Sequence, residues 1–151
     1  MIKNISTKEQ LSDLLEVLQN FYKIMQYNKV PITQENKTLW VNRWKNLLDS
    51  KNGEILGLFK DDKIIGAIGF VFFPSLEDGV LTCSEAFWYV DEQHRGKGLS
   101  LLLHLEKIAK IRGAERLLMI HLNNSMPDKL KSVYERLGYK CIETIYMKQI
   151  Q

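Results

Sequence analysis

Hydrophobic positions along this chain change period several times, and the changes mark out its elements. Met1–Ile5 reads as a short strand. Thr7 and Gln10 then make a capping box, and Leu11, Leu14, Leu15, Leu18, Phe21 and Tyr22 follow at helical spacing. A loop over Gln26–Ile32, containing Pro31, leads to a second helix over Gln34–Asp49. Its inner face is Leu39, Trp40, Val41, Trp44, Leu47 and Leu48, and Lys51-Asn52-Gly53 breaks it. Glu54–Lys60 and Lys63–Phe73 read as strands joined at Asp61-Asp62, a hairpin signal. After a loop from Pro74 to Gly79 comes a long strand, Val80–Val90, rich in β-branched and aromatic residues.

A third helix is predicted over Gly98–Arg112, with Gly98, Leu101, Leu102, Leu105, Ile108 and Ala109 at helical spacing and Gly113 as its stop. Arg116–Leu122 reads as a strand. Leu130, Val133, Tyr134 and Leu137 mark a fourth helix, opened near Ser125-x-x-Asp128 with Pro127 and closed by Gly138. Two short strands are expected near Tyr139–Glu143 and Thr144–Lys148. This order predicts an α+β fold on a mixed sheet, in which the crossover through the third helix makes strands four and five parallel and right-handed. With no repeat, low-complexity tract or linker, residues 1–151 read as a single domain.

Composition narrows the chemistry. A 151-residue chain with 45% hydrophobic and 26% charged residues is ordinary for a soluble globular domain. No apolar run approaches a membrane span and Met1-Ile2-Lys3-Asn4-Ile5 lacks a signal peptide's core, so a cytoplasmic location is expected. Cys83 and Cys141 stand far apart in strand-like segments and read as two small buried thiols. Three scattered histidines show no ligand spacing, so no metal is expected. A net charge of +3 does not point to nucleic acid.

The chemistry concentrates in Gln93-His94-Arg95-Gly96-Lys97-Gly98-Leu99-Ser100, which joins the aromatic strand ending Glu85-Ala86-Phe87-Trp88-Tyr89-Val90 to the third helix. A strand, a glycine-bearing basic turn and a helix start make an anion site, because first-turn N–H groups lack intrahelical partners and the helix dipole adds positive charge. A nucleoside-triphosphate loop needs Ser or Thr after Gly-Lys, but Gly98 follows Lys97. A dinucleotide fingerprint needs a third small residue where Leu101 stands.

The stretch resembles the Arg/Gln-x-x-Gly-x-Gly/Ala signature of the GNAT N-acetyltransferase superfamily, matched here by Gln93-x-x-Gly96-x-Gly98. A second segment, Val133-Tyr134-Glu135-Arg136-Leu137-Gly138-Tyr139, resembles the family's late Tyr-Glu-x-Leu-Gly-Phe/Tyr motif. The first motif alone is a common glycine-rich turn. Both in the family's order and separation favour the resemblance, which covers about residues 52–148.

The resemblance implies a GNAT-like fold, with a mostly antiparallel sheet flanked by helices and a splayed parallel pair of strands four and five at the cofactor site. It implies transfer of an acetyl group from acetyl-CoA, as co-substrate, to a primary amine of a small molecule, protein or peptide, by direct attack in a ternary complex. The loop from Gln93 through His94, Arg95, Gly96, Lys97, Gly98 and Leu99 to Ser100 would hold the pyrophosphate. A bulge in the region of Trp88, Tyr89 and Val90 would direct a backbone N–H at the thioester carbonyl. By match to the family's tyrosine, Tyr134 would give a proton to the leaving thiolate. From its own motif alone, Tyr134 would read as a half-buried core residue.

For the base, Glu85 leads, because a carboxylate between strand apolar residues gains basicity by desolvation; its plainer reading is a solvent-facing charge. Glu92 and His94 read as exposed loop residues and His121 as the end of strand five. Trp40, Trp44, Tyr27 and Trp88 either shape an acceptor pocket or belong to the core. Pro127 stands where the family often has asparagine, which takes Asn123 and Asn124 out of register with that contact. The expected partners are acetyl-CoA and an amine acceptor, without membrane or nucleic acid, and with a homodimer left open. Two other readings are acetylation of aminoacyl-tRNA or a modified nucleobase, which wants a basic rim, and a non-catalytic acyl-CoA-binding module, which has no use for Tyr134.

Overall fold

Among the described residues the sheet has five strands in sequential order, and its last neighbouring pair alone is parallel. In the computed structural model, residues 1–25, 33–121 and 127–150 are described. The strands are β1 (Ile2–Asn4), β2 (Gly53–Lys60), β3 (Lys63–Pro74), β4 (Leu81–Val90) and β5 (Arg116–Leu118). The helices are α1 (Lys8–Met25), α2 (Gln34–Asp49), α3 (Gly98–Ile111) and α4 (Pro127–Arg136). A short 3₁₀ turn, Glu92–Lys97, leads into α3. The mixed α+β architecture with a parallel β4–β5 pair is the one the pattern predicts.

Local chemistry accounts for the boundaries. At the start of α1, Thr7 Oγ1 accepts from the Gln10 N–H at 3.1 Å while Gln10 Oε1 accepts from the N–H groups of Ser6 and Thr7. Thr33 caps α2 by accepting from the Asn36 N–H. Asp61 and Asp62 both lie at positive φ, as a two-residue primed hairpin turn requires. Gly113 and Gly138 take φ of 81° and 88° and end α3 and α4 with paired backbone bonds, Ala114 to Ala109 and Tyr139 to Tyr134 among them.

The sheet divides two cores. Ile5, Leu11, Leu14, Leu18, Trp44, Ile55, Ala67 and Phe87 pack on the α1–α2 face. Leu56, Ile68, Phe70, Phe72, Cys83, Val90, Leu101 and Leu105 pack on the α3 face. Leu39, expected on the inner side of α2, is instead 43% exposed, since the sheet is covered by the stripe through Trp40, Trp44 and Leu47. Pro31, Tyr27, Asn123, Asn124 and Ser125 lie outside the described residues.

Three expectations need correction. β5 stops at Leu118 rather than Leu122, because beyond it the ladder to β4 ends. The two C-terminal strands are not formed. Residues 140–150 are exposed, with Ile142 at 73% and Tyr146 at 91%, and strand-like alternation cannot form a ladder without a partner edge. Cys141 is therefore exposed rather than buried, whereas Cys83 in β4 is buried and its thiol is pushed up to about 12 by desolvation.

Candidate active site where the β4–β5 ladder ends

β4 carries the irregularity that shapes the site. Its pairing with β3 steps from Phe87↔Gly69 to Glu85↔Phe70, so Ala86 is an extra, bulged residue. The sequence resemblance puts that bulge in the region of Trp88–Val90. The observed one lies at Ala86, and the reason is visible in β3, where regular pairing runs from Gly66↔Val90 to Gly69↔Phe87.

The bulge resets the alternation of the strand. Phe87 joins the α1–α2 core, while Glu85 pairs with Phe70 of the α3 core and reaches the segment beyond β5. β4 and β5 pair only at Thr82–Ser84 with Arg116–Leu118. Where the ladder stops, the Glu85 side chain takes over: its Oε2 accepts from the Ile120 N–H at 2.9 Å. The Tyr134 hydroxyl of α4 donates to the Ile120 carbonyl at 2.8 Å. Two side chains thus hold the backbone of one residue, from its N–H and from its C=O.

Both groups are 8% exposed. Desolvation pushes the Glu85 carboxyl up to about 7, with the Ile120 N–H pulling the other way. Tyr134 is raised well above the ordinary phenol range, first by burial and then by the neighbouring Glu85 carboxylate. Its ring lies 6.3 Å from Trp88 and 5.6 Å from Tyr139. Tyr139, unremarked as a site residue in the sequence, donates to Glu106 Oε1 of α3 at 2.7 Å and ties the end of α4 to that helix. Ile120 carries no sequence signal at all, because its contribution is entirely backbone.

The loop expected to hold phosphate sits at the other end of this edge. Gly96 faces open space: a Cβ built there meets nothing within 4 Å. Gly98 does not. Its Cβ would lie 3.3 Å from Val90 Cγ2 and 3.6 Å from Trp88 Nε1, so its small size brings α3 onto β4. The Gly98 N–H already donates to Arg95 O, and Ser100 Oγ donates to Lys97 O at 2.6 Å. His94 is also engaged: Nδ1 lies 2.6 Å from Asp91 Oδ1 and Nε2 lies 3.4 Å from Lys60 Nζ. With Lys60 as donor to Nε2, Nδ1 carries the hydrogen toward Asp91, so the His94 ring ties the loop to the β2–β3 hairpin. Gln93 is exposed and Leu99 is 43% exposed. The Tyr89 ring lies tilted against Phe21 on the α1–α2 face, 5.4 Å between centroids. His121, expected at a strand end, is exposed beyond β5.

Comparison with known proteins gives the family of the chain. A family model for the acetyltransferase (GNAT) family matches residues 14–139. The chain belongs to the GNAT acetyltransferase family. A search of curated proteins finds no match. Among solved structures, a transcriptional regulator from Bacillus halodurans C-125 is similar at TM-score 0.80 and 22% identity, covering 99% of both chains. A ribosomal-protein-alanine N-acetyltransferase from Brucella melitensis biovar Abortus 2308 aligns at TM-score 0.71 and 18% identity, again over 99% of each chain. An aminoglycoside acetyltransferase from an uncultured soil metagenomic sample, complexed with sisomicin, gives 0.72 and 12%, over 100% of this chain and 95% of the other. These likenesses establish the GNAT fold of the chain. Among the described residues, no helix is long and apolar enough to cross a membrane, and no cluster of acidic, histidine or cysteine side chains is arranged to hold a metal.

Proposed function

We propose that this GNAT chain is an N-acetyltransferase that moves the acetyl group of acetyl-CoA to a primary amine of a small molecule or of a protein or peptide. The observation that carries the reading is the end of the β4–β5 ladder at Ser84 and Leu118, with Glu85 and Tyr134 at that point and the Gly96 loop beyond the far end of β4.

Among the described residues the β5-facing backbone edge of β4 beyond Ser84 has no ladder partner, which suits it to hydrogen-bond an extended acyl carrier. Gly96 would admit the pyrophosphate to the backbone, and the start of α3, where Lys97 offers no side-chain cap, would favour its charge. Acetyl-CoA would bind along this edge through Trp88, Tyr89 and Val90 and the loop from Gln93 to Ser100.

Chemistry would follow by direct attack. The amine nitrogen forms a bond to the thioester carbon, the carbon–sulfur bond breaks, and the amine proton passes to Glu85. A carboxylate at about 7 is a better base than an ordinary glutamate, and one described hydrogen bond, to Oε2, restrains it. Tyr134, kept neutral by its surroundings, would turn its one O–H from the Ile120 carbonyl to the departing sulfur, and the proton held on Glu85 would restore the phenol and its bond to Ile120. The test is thiol release from acetyl-CoA against a panel of amines, polyamines, peptides and aminoacyl-tRNA. Release that depends on an amine supports the reading. Binding of acetyl-CoA without release by any acceptor contradicts it in favour of a cofactor-binding module.

A further inference from the structure

Beyond Leu118 the β4–β5 ladder stops, yet the segment after β5 stays tethered to β4 through the Glu85 side chain. The backbone of Ile120 meets Glu85 at its N–H, at 2.9 Å, and Tyr134 at its C=O, at 2.8 Å. Ile120's own side chain is 41% exposed and contributes little anchoring. We infer that Ile120 is a positioning residue, a backbone strut clamped by Glu85 and Tyr134 that sets the width of the opening between β4 and β5.

Three features support the clamp. Glu85 and Tyr134 come from different elements, β4 and α4, so the strut ties the sheet to the last helix. Both side chains are almost fully buried, where a hydrogen bond to a backbone group is costly to leave unmade. Tyr134 is itself held by ring contacts with Trp88 of β4 and with Tyr139, whose hydroxyl is bonded to Glu106 of α3. The clamp divides the work of the Glu85 carboxylate: Oε2 holds Ile120, and Oε1, with no protein partner among the described residues, is the oxygen for proton transfer. The titratable group coupled to it is Tyr134 on α4, which in turn feels Tyr139, the partner of Glu106 on α3.

The inference rests on the acetyltransferase reading for its consequence but not for its test. Amide hydrogen exchange at Ile120, measured by NMR on the whole chain without acetyl-CoA, reads the clamp alone. Glu85→Ala removes the acceptor and should speed exchange at Ile120 about tenfold or more, relative to amides in β2 and β3. Glu85→Gln keeps an acceptor oxygen and should restore protection to within about threefold of the parent while abolishing base chemistry. Tyr134→Phe, which keeps the ring and is expected to fold, should also loosen Ile120. Acetyl-CoA affinity should follow the same order, with Glu85→Gln close to the parent and Glu85→Ala weaker by about tenfold. Parental exchange at Ile120 in both Glu85→Ala and Tyr134→Phe would overturn the strut. Failure of the parent to bind acetyl-CoA would overturn the acetyltransferase reading and leave the exchange result standing.

Discussion

Glu85 and Phe87 stand two residues apart on one strand yet serve opposite faces of the sheet, because Ala86 is bulged between them. Without the bulge, strict alternation would send Glu85 toward the α1–α2 core, beside Phe87 and Trp44. With it, the carboxylate meets Ile120 and the neighbourhood of Tyr134. One extra residue converts a strand position into half of a candidate acid–base pair.

The two loop glycines should behave differently. Gly98→Val puts methyl groups into Val90 and Trp88 and should cost about 1–3 kcal/mol of stability by overpacking, seen in denaturant melts. At Gly96 an added Cβ meets no neighbouring atom within 4 Å, so Gly96→Val should leave stability within about 0.5 kcal/mol of the parent. The Gly96 variant should nevertheless lose the rise in Tm that acetyl-CoA gives the parent. A Gly96→Val protein stabilised normally by acetyl-CoA would remove the loop from the cofactor site.

Tyr134→Phe keeps the packing against Trp88 and Tyr139 and removes the hydroxyl. Steady-state assays with a good acceptor should show kcat reduced about a hundredfold or more, the range of positioned acid catalysis. The buried Ile120 carbonyl also loses its donor, so stability should fall by about 1 kcal/mol.

Glu85 makes stability depend on pH. Its carboxyl is raised from 4.5 to about 7, so between those values the folded chain holds a proton that the unfolded chain has released. Stability from this group is therefore full below about pH 4.5 and is lost as pH rises through 7, by on the order of 3 kcal/mol. Glu85→Gln should show a flat profile in that window. Parallel parent and variant profiles in urea melts from pH 4 to 8 would contradict the raised value.

Arg112 tests the packing at the far end of α3. It bonds Glu54 at 3.0 Å and the Lys51 carbonyl, and its guanidinium lies 3.7 Å over the Phe72 ring. Arg112→Ala should cost about 1–2 kcal/mol, with turnover unchanged. Arg112→Lys should recover less than half, since lysine lacks the planar fork that reaches two oxygens while stacking.

Much of the fold was legible because apolar periodicity and turn chemistry agreed. The capping box at Thr7, the bounds of α2, the Asp61-Asp62 turn and the glycine stops after α3 and α4 all follow local rules. The Ala86 bulge was not legible at its position, since nothing in Glu85-Ala86-Phe87 marks which residue is extra; the register with β3 decides it. Nor was the role of Gly98, whose glycine answers to Val90 and Trp88 across the α3–β4 packing. Ile120 was invisible for a simpler reason: a backbone N–H and C=O are common to almost every residue.

The most direct measurement is the ratio of parent to Glu85→Gln turnover across pH, with one amine acceptor. The carboxylate acts as base only when ionised, so the ratio should climb as pH rises through about 7. It should fall again as the acceptor's own pKa is approached, about 10 for an alkyl amine, where free amine needs no base. A ratio that peaks between those limits is the result expected of proton transfer to Glu85 at the β4–β5 opening. A ratio constant at every pH would contradict it and leave Glu85 with the Ile120 backbone alone.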